Sequence, residues 1–90
     1  MIDSFRSKAL RQLWEEGNRR GLRPDLVKRI RILLDAIDAA GSLDDLVGTA
    51  GFHALRGKPQ RYALAVNKNW RITFGWDDDS AIAVDLEDYH

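Results

Sequence analysis

The apolar residues of this 90-residue chain change period once, near Gly51, and that change limits the fold more than any single motif. Before it they recur every three or four residues, the spacing of one helix face. After it they alternate, the spacing of one sheet face. Leu10, Leu13 and Trp14 stand at i, i+3 and i+4. Ser7 precedes them as a helix cap, and Gly17-Asn18 follow as a left-handed stop. Pro24 suits the first turn of a second helix, where no N–H donor is needed. Leu26, Ile30, Leu33 and Ile37 then form a stripe widened by Val27 and Leu34, and Gly41 ends the element. Lys28, Arg29, Arg31, Asp35 and Asp38 fall largely off that stripe. Ser42 to Asp45 has the form of a capping box opening one or two further turns.

Beyond Gly51, "FHALRG" reads as a short strand ending in a glycine turn. "RYALAV" sets Tyr62, Leu64 and Val66 on one face and Ala63 and Ala65 on the other. "NKN" is a hairpin turn, since Asn tolerates positive φ. "NWRITFGW" sets Trp70, Ile72, Phe74 and Trp76 on one face against Arg71, Thr73 and Gly75. "DDDS" is a solvated turn. "AIAVDLEDYH" places Ile82, Val84 and Leu86 on the core face, with Ala81, Ala83, Asp85, Glu87 and Tyr89 opposite. The opening "MIDSF" also alternates and allows a short first strand. The expected architecture is α+β, with two antiparallel helices packed on one face of an antiparallel sheet. Ninety residues hold one core, so the whole span 1–90 is read as a single domain. The other sheet face carries alanines, a glycine, Arg71 and the polar tail. Small residues there either floor a hollow for a ligand or simply meet water.

Composition excludes several chemistries. Cysteine is absent, so there is no disulfide, thiol nucleophile or thiolate metal site. No pair of histidines has ligand spacing, and the aspartates of "DDDS" read as a loop. No glycine-rich phosphate cradle with a lysine appears. No metal and no cofactor is expected. The first residues lack the apolar stretch of a signal peptide, and no apolar run reaches the length of a membrane span, so a cytoplasmic protein is expected. The formal charge is zero but unevenly laid out. Residues 1–34 carry a net +5 and residues 56–71 another +5, balanced by −10 elsewhere. Such segregation suits an anionic partner on a basic face, or solvated helix faces.

Two groups of residues remain. One is the basic cluster Arg56, Lys58, Arg61, Lys68 and Arg71; the other is the tail Asp88-Tyr89-His90. Guanidinium groups can hold the oxygens of a phosphoryl transition state. His, Asp or Tyr can move the protons, and Tyr62 or Tyr89 can stack on a base. Those are the parts of a metal-free ribonuclease that uses the 2′-hydroxyl of its substrate as nucleophile. Each has an ordinary alternative. Arg71 can pair with Asp85 or Glu87 on a neighbouring strand, and Tyr62 can belong to the core.

The segments "KALRQLWEEG", "RPDLVKRI", "LDAIDAA", "FHALRG", "RYALAVNKNWRITF" and "VDLEDYH" together resemble the HigB group of the RelE/ParE superfamily of bacterial toxins, the plasmid-maintenance killer proteins. The resemblance runs the whole length of the chain. It implies two antiparallel helices against an antiparallel sheet. It implies a toxin that enters the decoding site of the 30S ribosomal subunit and cuts messenger RNA by 2′-hydroxyl attack. It further implies a helix-turn-helix, HigA-like antitoxin, through whose complex alone the protein would meet DNA. Carried onto this sequence, His90 takes the proton-transfer role with help from Asp88, Tyr89 orients or stacks, and Arg71 holds the scissile phosphate. Asn69 and His53 match polar positions of the family, and with Lys58, Arg61, Lys68 and Tyr62 they are expected to line the RNA. Arg56 stands where the family commonly has lysine. It keeps the charge but is a poorer proton donor. The alternative carried by the wider superfamily is a non-enzymatic, ParE-like toxin that poisons a protein target such as DNA gyrase.

Overall fold

Local hydrogen bonding sets both ends of the first helix. The computed structural model describes residues 1–49 and 51–88. Helix α1 (Lys8–Glu16) starts with the Ser7 Oγ accepting the Leu10 N–H at 3.1 Å. It stops at Gly17, whose φ of 69° turns its N–H back to the Leu13 carbonyl. Pro24–Leu26 make one 3-10 turn that leads into α2 (Val27–Ala39), and Ala40 leaves that helix extended. A further 3-10 turn, Leu43–Leu46, follows. Asp45 holds its start by accepting the N–H groups of Gly41 (2.8 Å) and Ser42 (3.2 Å).

Four antiparallel strands follow in the order β1 (His53–Ala54), β2 (Tyr62–Ala65), β3 (Trp70–Asp77) and β4 (Ser80–Asp88). The expected opening strand exists as two parallel bridges on the outer edge of β4, Ile2 to Ala81 and Phe5 to Val84. Its amino group donates to the Asp38 carbonyl at 2.7 Å, near the end of α2, where the helix dipole favours positive charge.

Leu10, Leu13, Leu26, Val27, Ile30, Leu33, Leu34 and Ile37 from the helical half share one buried cluster with Leu64, Val66, Ile72, Phe74, Ala81 and Val84 from the sheet. Burying each large side chain contributes about 1.5–3 kcal/mol relative to exposure. Among the described residues no helix is long and apolar enough to cross a membrane.

Two details of the sheet differ from the alternation in the sequence. Ala81, expected on the outer face, is fully buried in the core, while Ile82, expected in the core, stands over Gly75 on the other face. The cause is a β-bulge. The pairing steps from Thr73↔Asp85 to Gly75↔Ile82, so β4 spends one extra residue there, and Ala83 takes a φ of +49°. Every side chain before the bulge is thereby moved to the opposite face. The hairpin at residues 67–69 also works differently from expectation. No Asn of the described residues has a positive φ. Instead the Asn67 side chain accepts the N–H groups of Asn69 and Trp70, both at 2.8 Å. The left-handed turn residue is Asp78, in the loop between β3 and β4.

Candidate functional site

Strand register sets the outer sheet face in two rows. His53, Ala63, Thr73 and Asp85 form one, and Ala65, Arg71 and Glu87 form the next. At its centre the face is neither an open hollow nor a wetted surface. Ala63, Thr73 and Gly75 are buried, with Ile82 over Gly75 and the Arg61 guanidinium against Thr73.

Arg61 organises this face. Its Nη2 donates to the bulge carbonyl of Ala83 at 2.8 Å and to Thr73 Oγ1 at 3.1 Å. The Thr73 hydroxyl in turn donates to Glu87 Oε2. A buried hydroxyl that both accepts from a cation and donates to a carboxylate is not left unpaired, which is why fully buried Thr73 is tolerated here. The bulge leaves the Ala83 backbone outside the regular ladder. Both of its polar groups are still met, the N–H by Ser4 Oγ at 2.8 Å and the carbonyl by Arg61. Burial, and then the like charge of Arg6, lower the Arg61 pKa from its ordinary value, while Glu87 and Asp85 pull it back up.

The sequence-predicted site residues fall into separate groups. Arg71 is half-buried on the outer face, directly across from Glu87. Lys68 and Asn69 are exposed on the turn that leads into the same end of β3. Asp88 is also at this end, but it pairs with Trp70, so strand alternation directs it to the side opposite Arg71. Tyr89 and His90 lie outside the described residues. Arg56 and Lys58 are exposed on the loop before β2, at the other end of that strand from the 67–69 turn. Four strand residues, roughly 10 Å of chain, lie between. The loop is closed by the Leu55 N–H on the Arg61 carbonyl (2.8 Å), with the Gln60 amide bonded to the carbonyls of Leu55 and Arg61.

His53 is exposed, and its Nδ1 lies 2.9 Å from the Gly51 carbonyl. A carbonyl only accepts, so Nδ1 is the donor in this contact. Tyr62 is packed on the core side, its ring stacked on Phe52 with centroids 5.9 Å apart and tilted against Phe74 at 6.0 Å. Phe52 therefore already occupies one stacking face of Tyr62. A cleft of about 270 Å³ between α1 and α2 is lined by Leu13, Trp14, Arg31, Leu34 and Asp35, none of them a sequence-predicted site residue. Among the described residues no cluster of His, Cys, Asp or Glu could hold a metal ion. Sequence reasoning gave no part to Thr73, and gave Glu87 only that of a cross-strand partner of Arg71. Their shared position on the face of Arg71 was the available signal, but the diagonal reach from one to the other depends on side-chain direction.

Two helices followed by a four-stranded antiparallel sheet with arginines along one face is the build of a small toxin of the RelE type. The chain matches, over residues 3–90, the family described as RelE-like toxin of type II toxin-antitoxin system HigB, and it belongs to that family. It is 38% identical, over 92 aligned positions covering the whole of both chains, to the Endoribonuclease HigB of Proteus vulgaris. A toxin of a type II system has an antitoxin as its partner.

Proposed function

We propose that this protein is a ribosome-dependent messenger-RNA endonuclease, a single RelE/ParE-like domain with its two helices antiparallel on one sheet face. The observation that carries the reading is the β3–β4 register. It sets Arg71 across from Glu87, one residue before the Asp88-Tyr89-His90 tail, in a chain similar throughout to a protein named as an endoribonuclease. In this reading the substrate's 2′-oxygen attacks the adjacent phosphorus, and the bond from phosphorus to the 5′-oxygen breaks. The products are a 2′,3′-cyclic phosphate and a 5′-hydroxyl. His90, assisted by Asp88, moves a proton between these oxygens, Tyr89 orients the nucleotide, and Arg71 holds the non-bridging oxygens, with charge support from Arg56. Lys58, Lys68, Asn69 and His53 make up the RNA-facing set; Tyr62 packs on the core side, and Arg61 turns inward on Thr73 and Ala83.

The ribosomal decoding site supplies orientation, which in favourable cases lowers a barrier by roughly 7–11 kcal/mol. Free RNA is accordingly expected to be a poor substrate. The partner is a helix-turn-helix antitoxin, and the setting is the cytoplasm. The test is to sequence the 5′ ends of cellular RNA after brief expression. New cuts inside translated messages, in phase with codons, support the reading. Growth arrest with a DNA-damage response and no such cuts overturns it in favour of a gyrase-directed toxin.

A further inference from the structure

Glu87 is assigned no part in the reaction, yet its carboxylate is held at the end of a chain of directed contacts on the outer face. It accepts from Thr73, whose hydroxyl is fully buried and is itself fixed by Arg61. Arg61 in turn is fixed by the carbonyl of the bulge residue Ala83. This chain of contacts joins the start of β2, the middle of β3 and two points on β4. It also lies close to the tail in sequence, because Glu87 precedes Asp88 by one residue and His90 by three. Across the strand from Glu87 stands Arg71, the residue read as holding the phosphate.

We infer that Arg61, Thr73 and Glu87 are positioning residues for the nuclease reaction: the Thr73 hydroxyl tethers Glu87, and that tether fixes the end of β4 relative to Arg71. The inference rests on the nuclease reading above. It concerns a hydrogen bond and not a charge. A carboxamide at position 87 can accept from Thr73 as a carboxylate does, whereas a methyl group cannot. A displacement of the end of β4 by about 1 Å would alter the rate of the chemical step far more than the binding of the ribosome, since reaction rates depend steeply on the placement of reacting groups.

The experiment is single-turnover cleavage of messenger RNA on programmed ribosomes, with toxin concentration varied so that the maximal rate and the half-saturating concentration are read separately. Wild type is compared with Thr73→Val, Thr73→Ser, Glu87→Ala and Glu87→Gln, and the melting temperature of each is recorded. The expected result is a maximal rate lowered about 10- to 100-fold for Thr73→Val and Glu87→Ala, with half-saturation within twofold of wild type. Thr73→Ser and Glu87→Gln, which keep the hydrogen bond, should recover to within about threefold of the wild-type rate. A merely structural role would lower melting temperature without separating the conservative from the disruptive variants. Should Thr73→Val fail to fold, the pair at position 87, which is half-exposed, carries the decision. Glu87→Gln as slow as Glu87→Ala overturns the inference, as does a wild-type maximal rate in both. So does a loss confined to half-saturation. An inactive wild-type protein would instead overturn the nuclease reading, and the inference with it.

Discussion

The two faces of the sheet are built from the same strands but are ordered by different forces. The inner face carries Leu64, Ile72, Phe74 and Val84, all buried with the helical side chains, and its order comes from non-directional apolar burial. The outer face also buries residues, Ala63, Thr73 and Gly75 among them, but it orders them with directed contacts: Arg61 to Ala83, Arg61 to Thr73, and Thr73 to Glu87. An apolar contact survives a small displacement, whereas a hydrogen bond weakens steeply with distance and angle. The inner face is thus suited to stability, and the outer face to holding charged groups in set places.

Phe74→Ala should give the largest effect. The ring is fully buried at the centre of β3, and such truncations cost about 3–5 kcal/mol. Urea unfolding should show the midpoint falling with an unchanged slope. A loss below about 1 kcal/mol would break the comparison, because it would mean that the inner face does not carry the stability.

Arg71→Ala should come next and strike activity. Removing one preorganised group that holds transition-state charge costs about 10²–10³ in rate. Ribosome-dependent cleavage should fall by that factor, and the midpoint in urea should move less than for Phe74→Ala. Equal loss of stability in the two variants would show Arg71 to be a packing residue.

Much of this contrast is legible in the sequence. Alternation from Leu64 to Val66 and from Trp70 to Phe74 assigns both faces correctly, because those pairings contain no irregularity. The caps at Ser7 and Gly17 are equally readable, since each is a local geometry that few residue types satisfy. Past the bulge the alternation fails, and Ala81 and Ile82 exchange faces. Gly75 borders the register break, but it lies on the partner strand and does not tell which residue of β4 is the extra one. The bulge depends on Ser4, 79 residues away in the chain, and on Arg61, 22 residues away, and contacts of that range leave no periodic trace. Arg61 shows the same limit in the site. Its type and its place in a basic run suggest an RNA contact, while its inward hydrogen bonds become visible only once β2, β3 and β4 are side by side. The family resemblance names tail residues, but Tyr89 and His90 fall outside the described residues.

Gly51→Ala should have a smaller effect, at the margin between the faces. Gly51 has a φ of +65°, and a Cβ there would stand 2.7 Å from the Cβ of Ala65. Left-handed strain plus a collision with a strand residue should cost about 2 kcal/mol in thermal or urea unfolding. Adding Ala65→Gly removes the Cβ collision but leaves the strain and the 3.2 Å approach to the residue 65 nitrogen, so the double variant should recover part of the loss. Full recovery would assign the whole cost to contact.

The smallest effect should be a gain, from Ala83→Gly. Ala83 is a non-glycine residue at φ +49°, a conformation that costs an L-residue about 1–2 kcal/mol. Glycine removes that strain but enlarges the unfolded ensemble, at a cost of about 0.5–1 kcal/mol. The net change should be a stabilisation of up to about 1 kcal/mol, read as a higher urea midpoint. The sign depends on the bulge being held from outside the residue itself. Ser4 and Arg61 grip the N–H and the carbonyl of position 83, and glycine retains both groups. If they alone select the bulge, Ala83→Gly keeps the register and gains stability, while Ser4→Ala loses some by stranding the N–H. If the alanine conformation is itself what selects the bulge, Ala83→Gly would release the register, and β4 could slide Ile82 towards the core and Ala81 out of it. Stability would then fall, with lost amide protection along β4. The outer face would in that case be ordered by backbone conformation and not by the directed contacts that distinguish it from the inner one.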